Sequence, residues 1–206
     1  FASYSPTVSA EETALAPFAT LGGNRLVFVN GNYAEELSQV DALPKGVVVT
    51  SLAKALQEMP ETLEAHFAHY AQSEAHAFVA LNTAFAQDGA FLLIPRNVIV
   101  EDPIHLLYLT VSGETATMSH PRTLVVVGEN AQVTLAEVYT GLPSETATLT
   151  NAVTEFVLAP NAVVDHYKVQ QESANAYHIA LMQVQLDRSS NFCSHNIAIG
   201  GSIVRN

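Results

Sequence analysis

The chain has 206 residues, 49% of them hydrophobic, with 20 acidic side chains against 8 basic ones and a formal net charge of −12. So much apolar side chain supplies a sizeable core, and the acidity weighs against nucleic acid or an anionic membrane surface, whose affinity rests on Lys and Arg. No apolar run approaches the ~20 residues of a membrane helix, and nothing resembles a secretory signal. Cys193 is the only cysteine, which excludes an internal disulfide and a four-thiolate metal centre and points to a reducing compartment.

Residues 1–88 read as a mixed N-terminal region. Ser9-Ala10-Glu11-Glu12 fits a capping box, so a short helix is expected from about Ala10. Arg25–Tyr33 reads as a strand, an Asn-Gly turn and a second short strand, and Lys45–Thr50 as another strand. Leu52, Leu56 and Met59 then mark one helix face. Pro60 suits the first position of a second helix carrying Leu63, Phe67 and Tyr70, and Phe78, Leu81 and Phe85 mark a third. Asp88-Gly89 is expected to be a turn.

From 89 to 206 the texture changes to β-branched runs broken by Pro, Gly, Asn and Asp. Strands are expected over 91–94, 98–100, 104–111, 123–127, 132–139, 152–158, 162–170, 179–186 and 192–199. A step of 30 residues from Leu109 meets Tyr139, Val169 and Ile199, and from Leu107 meets Glu137, Tyr167 and Ile197. Leu124, Thr154 and Val184 form a third column, and Val126, Phe156 and Leu186 a fourth. Such a period built from strands is the mark of a solenoid. An antiparallel sandwich with a hairpin at 127–132 explains the short turns but not the recurring apolar columns, so the parallel β-helix is favoured. Asn97, Asn130, Asn161 and Asn191 recur at spacings of 33, 31 and 30, as corner residues would.

The same period places His105, Leu135, Asp165 and His195 in one column. Asp165 and His195 would then lie on adjacent rungs, ~4.8 Å apart in backbone, with Cys193 on the same face. A Cys, His and Asp together can bind a transition metal or activate a thiolate. The competing reading is a polar ladder without a ligand, and no oxyanion hole is marked. His66 and His69 share a helix face with Glu64 and read as solvated. No phosphate-binding loop, dinucleotide-binding glycine motif or nucleophile elbow is present.

Five strings give the chain a family likeness: HAFVALNTAFAQDGAFLLIP (76–95), PIHLLYLT (103–110), MSHPRTLVVVGENAQVTLAEVY (118–139), TNAVTEFVLAPNAVVDHYKVQQES (150–173) and SSNFCSHNIAIGGSIVRN (189–206). As a set they resemble the SufB/SufD family of the SUF iron–sulfur cluster assembly system. The lead-in RLVFVNGNY (25–33) is similar to the segment that precedes the core on the SufD side of that family. The resemblance implies a right-handed parallel β-helix, about 30 residues per turn, after a small helical and mixed N-terminal region.

It also implies a non-ATPase scaffold subunit in a cytoplasmic complex (or a plastid one, in a plant). That subunit would work with a SufB-like paralogue and a SufC-like ATPase in iron supply, cluster assembly and transfer. Iron or a nascent iron–sulfur cluster would be transient cargo. No cofactor is expected in the isolated chain, and reduced flavin is associated with the full complex. No family ligand maps onto Cys193. Two alternatives stand beside this reading: a β-helix enzyme or metal-binding protein using Asp165, His195 and Cys193, and a purely structural solenoid. Phe1 in place of Met and an uncapped end at Asn206 lead to the expectation of a truncated fragment that self-associates through its open coil.

Overall fold

Short apolar strands separated by polar corners wind into a parallel β-solenoid of about 3 turns, ~31 residues per turn, after a small N-terminal region. The computed structural model describes residues 8–9, 23–41, 43–142 and 144–206; the helix expected from about Ala10 lies outside them. Strands β1 (Arg25–Val29) and β2 (Asn32–Tyr33) open the described chain, followed by a single 3₁₀ turn at Glu35–Leu37 and strand β3 (Val48–Ser51).

Helices α1 (Leu52–Glu58), α2 (Pro60–Glu64) and α3 (Ala77–Phe85) follow. Ser51 caps α1 by accepting the Lys54 N–H, and Pro60 occupies the first turn of α2, as expected of a residue that has no N–H to leave unpaired. Asp88 reinforces the α1 start, its Oδ1 accepting the Ala53 N–H at 2.9 Å.

The solenoid strands are β4 (Ala90–Ile94), β5 (Ile104–Thr110), β6 (Thr117–Ser119), β7 (Arg122–Val127), β8 (Gln132–Gly141), β9 (Thr148–Leu158), β10 (Val163–Gln171), β11 (Ala176–Leu186), β12 (Asn191–Ala198) and β13 (Ile203–Arg205). They form two sheets, ordered β2-β1-β5-β8-β10-β12 and β3-β4-β7-β9-β11-β13, with β6 beside β9. Every pairing along the stack is parallel; only the β1–β2 and β3–β4 pairs are antiparallel. The hairpin alternative at 127–132 is thereby excluded, because β7 and β8 lie in different sheets. The segment 98–100 forms only an isolated bridge, Ile99 to Gln132. Strand β1 joins β5 directly, with Arg25 beside His105, so the lead-in supplies the first rung of one sheet.

Corners hold the turns in register. Asn97, Asn130 and Asn161 all adopt left-handed backbone (φ 60°, 56° and 60°), a conformation Asn tolerates better than other non-glycine residues. Their side chains form a ladder, Asn161 Nδ2 donating to Asn130 Oδ1 and Asn130 Nδ2 to Asn97 Oδ1, both at 2.9 Å. The fourth corner is not Asn191, as the sequence spacing suggests, but Ser189 (φ 60°). At the turn before β8, Gly128 packs so closely on the coil below that a Cβ would come within 2.6 Å of Arg96 N.

The interior is filled from both sheets. Leu26, Phe28, Leu92, Ile94, Leu106, Tyr108, Val125 and Val127 form the early part of the core and are essentially inaccessible. Removing a Leu or Phe of this kind from water is worth about 1.5–3 kcal/mol. Outside, α1 and α2 cover Phe91 and Leu124 through Leu52, Ala55 and Leu63. A buried ion pair fixes the helical segment to the stack. Arg122 Nη2 donates to Glu155 Oε2 at 2.6 Å, and Glu155 accepts the backbone N–H groups of Ala68, Tyr70 and Ala71.

Candidate functional site

Two groups of chemically capable side chains lie at the β12 end of the stack, one on the outer face and one inside. The outer group contains the residues singled out from sequence. Their register differs from a uniform 30-residue step, because the turns differ in length: Leu135 sits beside His166 and Asp165 beside Cys193. The observed outer column is His105, Ala136, Tyr167 and His195, while Leu135, His166 and Ser194 face inward. Likewise Leu107 aligns with Val138, Val169 and Ile197. Asp165 and His195 are therefore not cross-strand neighbours. Cys193 takes the place beside Asp165, and its Sγ lies 3.4 Å from His195 Nε2, whose ring stacks on Tyr167. This pair is exposed. Among the described residues no three His, Cys, Asp or Glu side chains converge closely enough to hold a metal ion.

The inner group was not legible as a site in the sequence. Adjacent turns bring Glu137 beside Lys168, and Lys168 beside Asn196, in one inward column; His166 and Gln170 flank Lys168 on β10. Glu172 and His178 complete the set beyond β10. All are at least nine-tenths buried except Asn196. Glu137 Oε1 accepts from Thr154 Oγ1 at 3.0 Å, and its Oε2 lies 3.6 Å from His166 Nε2. His166 Nδ1 meets Ser194 Oγ at 2.9 Å. Glu172 is held by Thr150 Oγ1 at 2.7 Å, Gln170 Nε2 at 2.9 Å and His178 Nδ1 at 2.8 Å.

Burial and pairing pull these groups in opposite directions. Burial alone would raise the Glu137 and Glu172 carboxyls, but the histidines and neighbouring donors outweigh it and hold both below the ordinary glutamate value. Burial lowers His178, against the pull of Glu172. It brings Lys168 down to about 8 despite Glu137 and Glu172. The Lys168 ammonium lies 5.1 Å from the centre of the Tyr139 ring. Tyr139 in turn stacks on Tyr108, and Tyr108 on Phe28, along the axis. A cavity of about 300 Å3 opens beside Glu137, Thr154, His166 and Lys168, between β10, β11 and β12.

A signal for the inner group did exist. In β10 the alternation Val164, His166, Lys168, Gln170 places polar residues at the positions where a solenoid strand needs apolar ones. A uniform step hid it, because a slip of one residue exchanges inside and outside.

Comparison with known proteins gives two adjoining family matches. Residues 12–106 match the SufBD protein N-terminal region, and residues 109–206 match the SUF system FeS cluster assembly SufBD core domain. An iron–sulfur cluster assembly SufBD family protein of Synechocystis is 35% identical over 189 residues, covering 88% of this chain and 42% of the relative. The iron–sulfur cluster assembly protein SufD of Bacillus subtilis is 30% identical over 131 residues, 63% of this chain and 30% of that protein. A SufBD family protein of Staphylococcus haemolyticus is 26% identical over 182 residues, 88% of this chain and 37% of the relative. The chain spans less than half the length of these curated relatives.

Proposed function

Because the chain belongs to the SufB/SufD family of iron–sulfur cluster assembly proteins, we propose that it acts as a non-ATPase scaffold subunit of a SUF-type complex, working beside a SufB-like paralogue and a SufC-like ATPase in a cytoplasmic setting. The observation that carries the reading is the end-to-end match of both family regions onto a lead-in joined to a parallel solenoid. A stack of paired strands is a stiff platform, and its outer face carries exposed apolar side chains, Tyr167, Ile197 and Ile199, that suit a protein partner. No helix among the described residues is long and apolar enough to cross a membrane.

Iron or a nascent cluster is cargo in this reading. Asp165, Cys193 and His195 offer it a transient contact on the outer face, carried by the 3.4 Å Cys193–His195 approach. The test is affinity purification of the protein from cells that express SufB-like and SufC-like proteins. Both are expected to co-purify, and deletion of the gene is expected to lower iron–sulfur enzyme activities. Recovery of neither partner, together with normal enzyme activities, overturns the proposal. Cys193→Ser is expected to reduce iron retained by the purified complex without affecting its assembly; unchanged iron removes the outer pair from the account.

A further inference from the structure

Helix α3 is held to β7 and β9 by a seam that is mostly polar. Of its nine residues only Val79 and Asn82 are buried, Val79 against Ala71 and Val153. Asn82 Nδ2 donates to Pro121 O at 3.0 Å and to Asn151 O at 2.8 Å, and Asn82 Oδ1 accepts from Arg122 Nη1 at 3.2 Å. At the first turn of the helix, Asn151 Nδ2 donates to Phe78 O at 2.9 Å and meets His120 Nδ1 at 3.2 Å. Phe78 O can only accept, so it fixes which end of the amide faces it, and His120 Nδ1 must accept from the same NH2 group. The ring is then neutral, with its proton on Nε2. His120 is 7% exposed, and neither its Nε2 nor Asn151 Oδ1 has a hydrogen-bond partner among the described residues. Elements docked with so little apolar burial are the ones that open first.

We propose that α3 is a proton-released clamp: His120, once protonated, frees the helix from β7 and β9. An imidazolium has two N–H donors and no acceptor. Its Nδ1–H would face the Asn151 NH2 group. The Asn151 amide then turns over so that Oδ1 accepts from His120. The same turn sets that oxygen against Phe78 O, and the helix loses its first-turn anchor. The surrounding charges are already engaged. Arg122 and Glu155, on the two strands of the seam, pair with each other at 2.6 Å. Helix α3 has no titratable side chain, and His76 just before it is exposed. On the segment leading to Ala71, His66 bonds Tyr70 and His69 bonds Ala65 O. Asp88, beyond α3, accepts the N–H groups of Tyr33, Ala53 and Gly89. Burial accordingly holds His120 below its ordinary 6.5. Release restores the ordinary value, so the released form binds the extra proton and acid favours release. The clamp does not depend on the assembly role.

The experiment is hydrogen–deuterium exchange at about pH 7.5 and pH 5.5, corrected for the intrinsic pH dependence of exchange, together with histidine nitrogen NMR of the same protein. The opening equilibrium of α3 is expected to rise by up to about tenfold at the lower pH, the limit for one proton taken up at 6.5, while the amides of β4 keep their protection. His120→Gln keeps an acceptor oxygen but cannot take up a proton, and is expected to hold α3 equally at both pH values. NMR of the unaltered protein is expected to show His120 with its proton on Nε2 at pH 7.5 and a titration midpoint below 6.5, a readout that needs no folded variant. An opening of α3 that does not change with pH, an equal pH response in His120→Gln, or a His120 proton on Nδ1 at pH 7.5 would each overturn the clamp.

Discussion

The first and third turns of the solenoid share a backbone but not an interior. Around β4 and β5 the inward positions are Leu92, Ile94, Leu106 and Tyr108, packed against Leu26 and Phe28. Around β9 and β10 the equivalent places hold Thr150, Thr154, His166, Lys168 and Gln170, with Glu137 below and Glu172 and His178 beside them. The column Leu106, Glu137, Lys168, Asn196 runs from one chemistry to the other in register. The apolar core continues into the late turns through Ala152, Phe156, Leu158 and Val164, with Ala180, Val184 and Phe192 packed against it, and the polar column runs beside it. The first turn's interior stabilises the stack, while the third turn's polar column imposes a desolvation cost that its hydrogen bonds only offset.

The largest expected effect separates the two interiors directly. Leu106→Ala should cost about 2–5 kcal/mol, the transfer loss plus the cavity left in a tightly packed turn. Lys168→Met should cost nothing or stabilise, because it replaces a buried ammonium by an apolar chain of similar length. Urea denaturation of both variants measures the contrast. A Lys168→Met variant that loses as much as Leu106→Ala would show that the third turn depends on its polar interior for folding, and the comparison would fail.

Next in size is a pH effect. The folded-state value of Lys168 lies at about 8, below its ordinary 10.5, so between these pH values the unfolded chain binds more protons than the folded one. Stability therefore rises with pH across that window, by an amount on the order of 3 kcal/mol when complete. Above about pH 10 it is opposed, because burial holds Tyr108 and Tyr139 well above their ordinary value and the unfolded chain loses those protons first. On the acid side Glu137 and Glu172 sit below the ordinary glutamate value, so their contribution is present above pH ~4.5 and is lost as pH falls through the folded values. Thermal midpoints from pH 7 to 10 should climb in the unaltered protein and stay flat in Lys168→Met. A climb in both would assign the effect elsewhere.

Much of the first turn was legible in the sequence, and little of the third turn's interior was. The change of texture near Asp88, the short strands and the recurring apolar residues identify stacked parallel strands, because each depends on local pattern. The facing of particular residues does not. Turn lengths change along the stack, Asn130 lying 33 residues after Asn97 but Asn161 only 31 after Asn130, and the step shortens again where Val163 meets Asn191. A constant step therefore drifts, and it put Asp165 opposite His195 when Cys193 stands there. His166 meets Glu137 across adjacent strands, and His178 meets Glu172 across the connection from β10 to β11, pairings that no sequence spacing marks. Strand β1 joined the stack across an even longer gap, Arg25 meeting His105, which no periodicity could reveal.

The smallest effect sharpens the comparison at the corners. The Asn97, Asn130, Asn161 ladder stops at Ser189, which adopts the same left-handed backbone without the amide that bonds rung to rung. Asn161 N–H donates to Arg188 O just as Asn130 N–H donates to Pro160 O, so Ser189 occupies the equivalent corner of the following turn. Asn is the better residue for that backbone and could also donate to Asn161 Oδ1. Ser189→Asn should therefore stabilise by about 0.5–1 kcal/mol, read as a higher urea midpoint with an unchanged slope. Asn130→Ala, which removes two ladder bonds and strains the backbone, should cost slightly more than that gain. If Ser189→Asn destabilises instead, the last corner is set by its neighbours in β11 and β12 rather than by continuation of the ladder. The difference between early and late turns would then extend from the interior to the backbone.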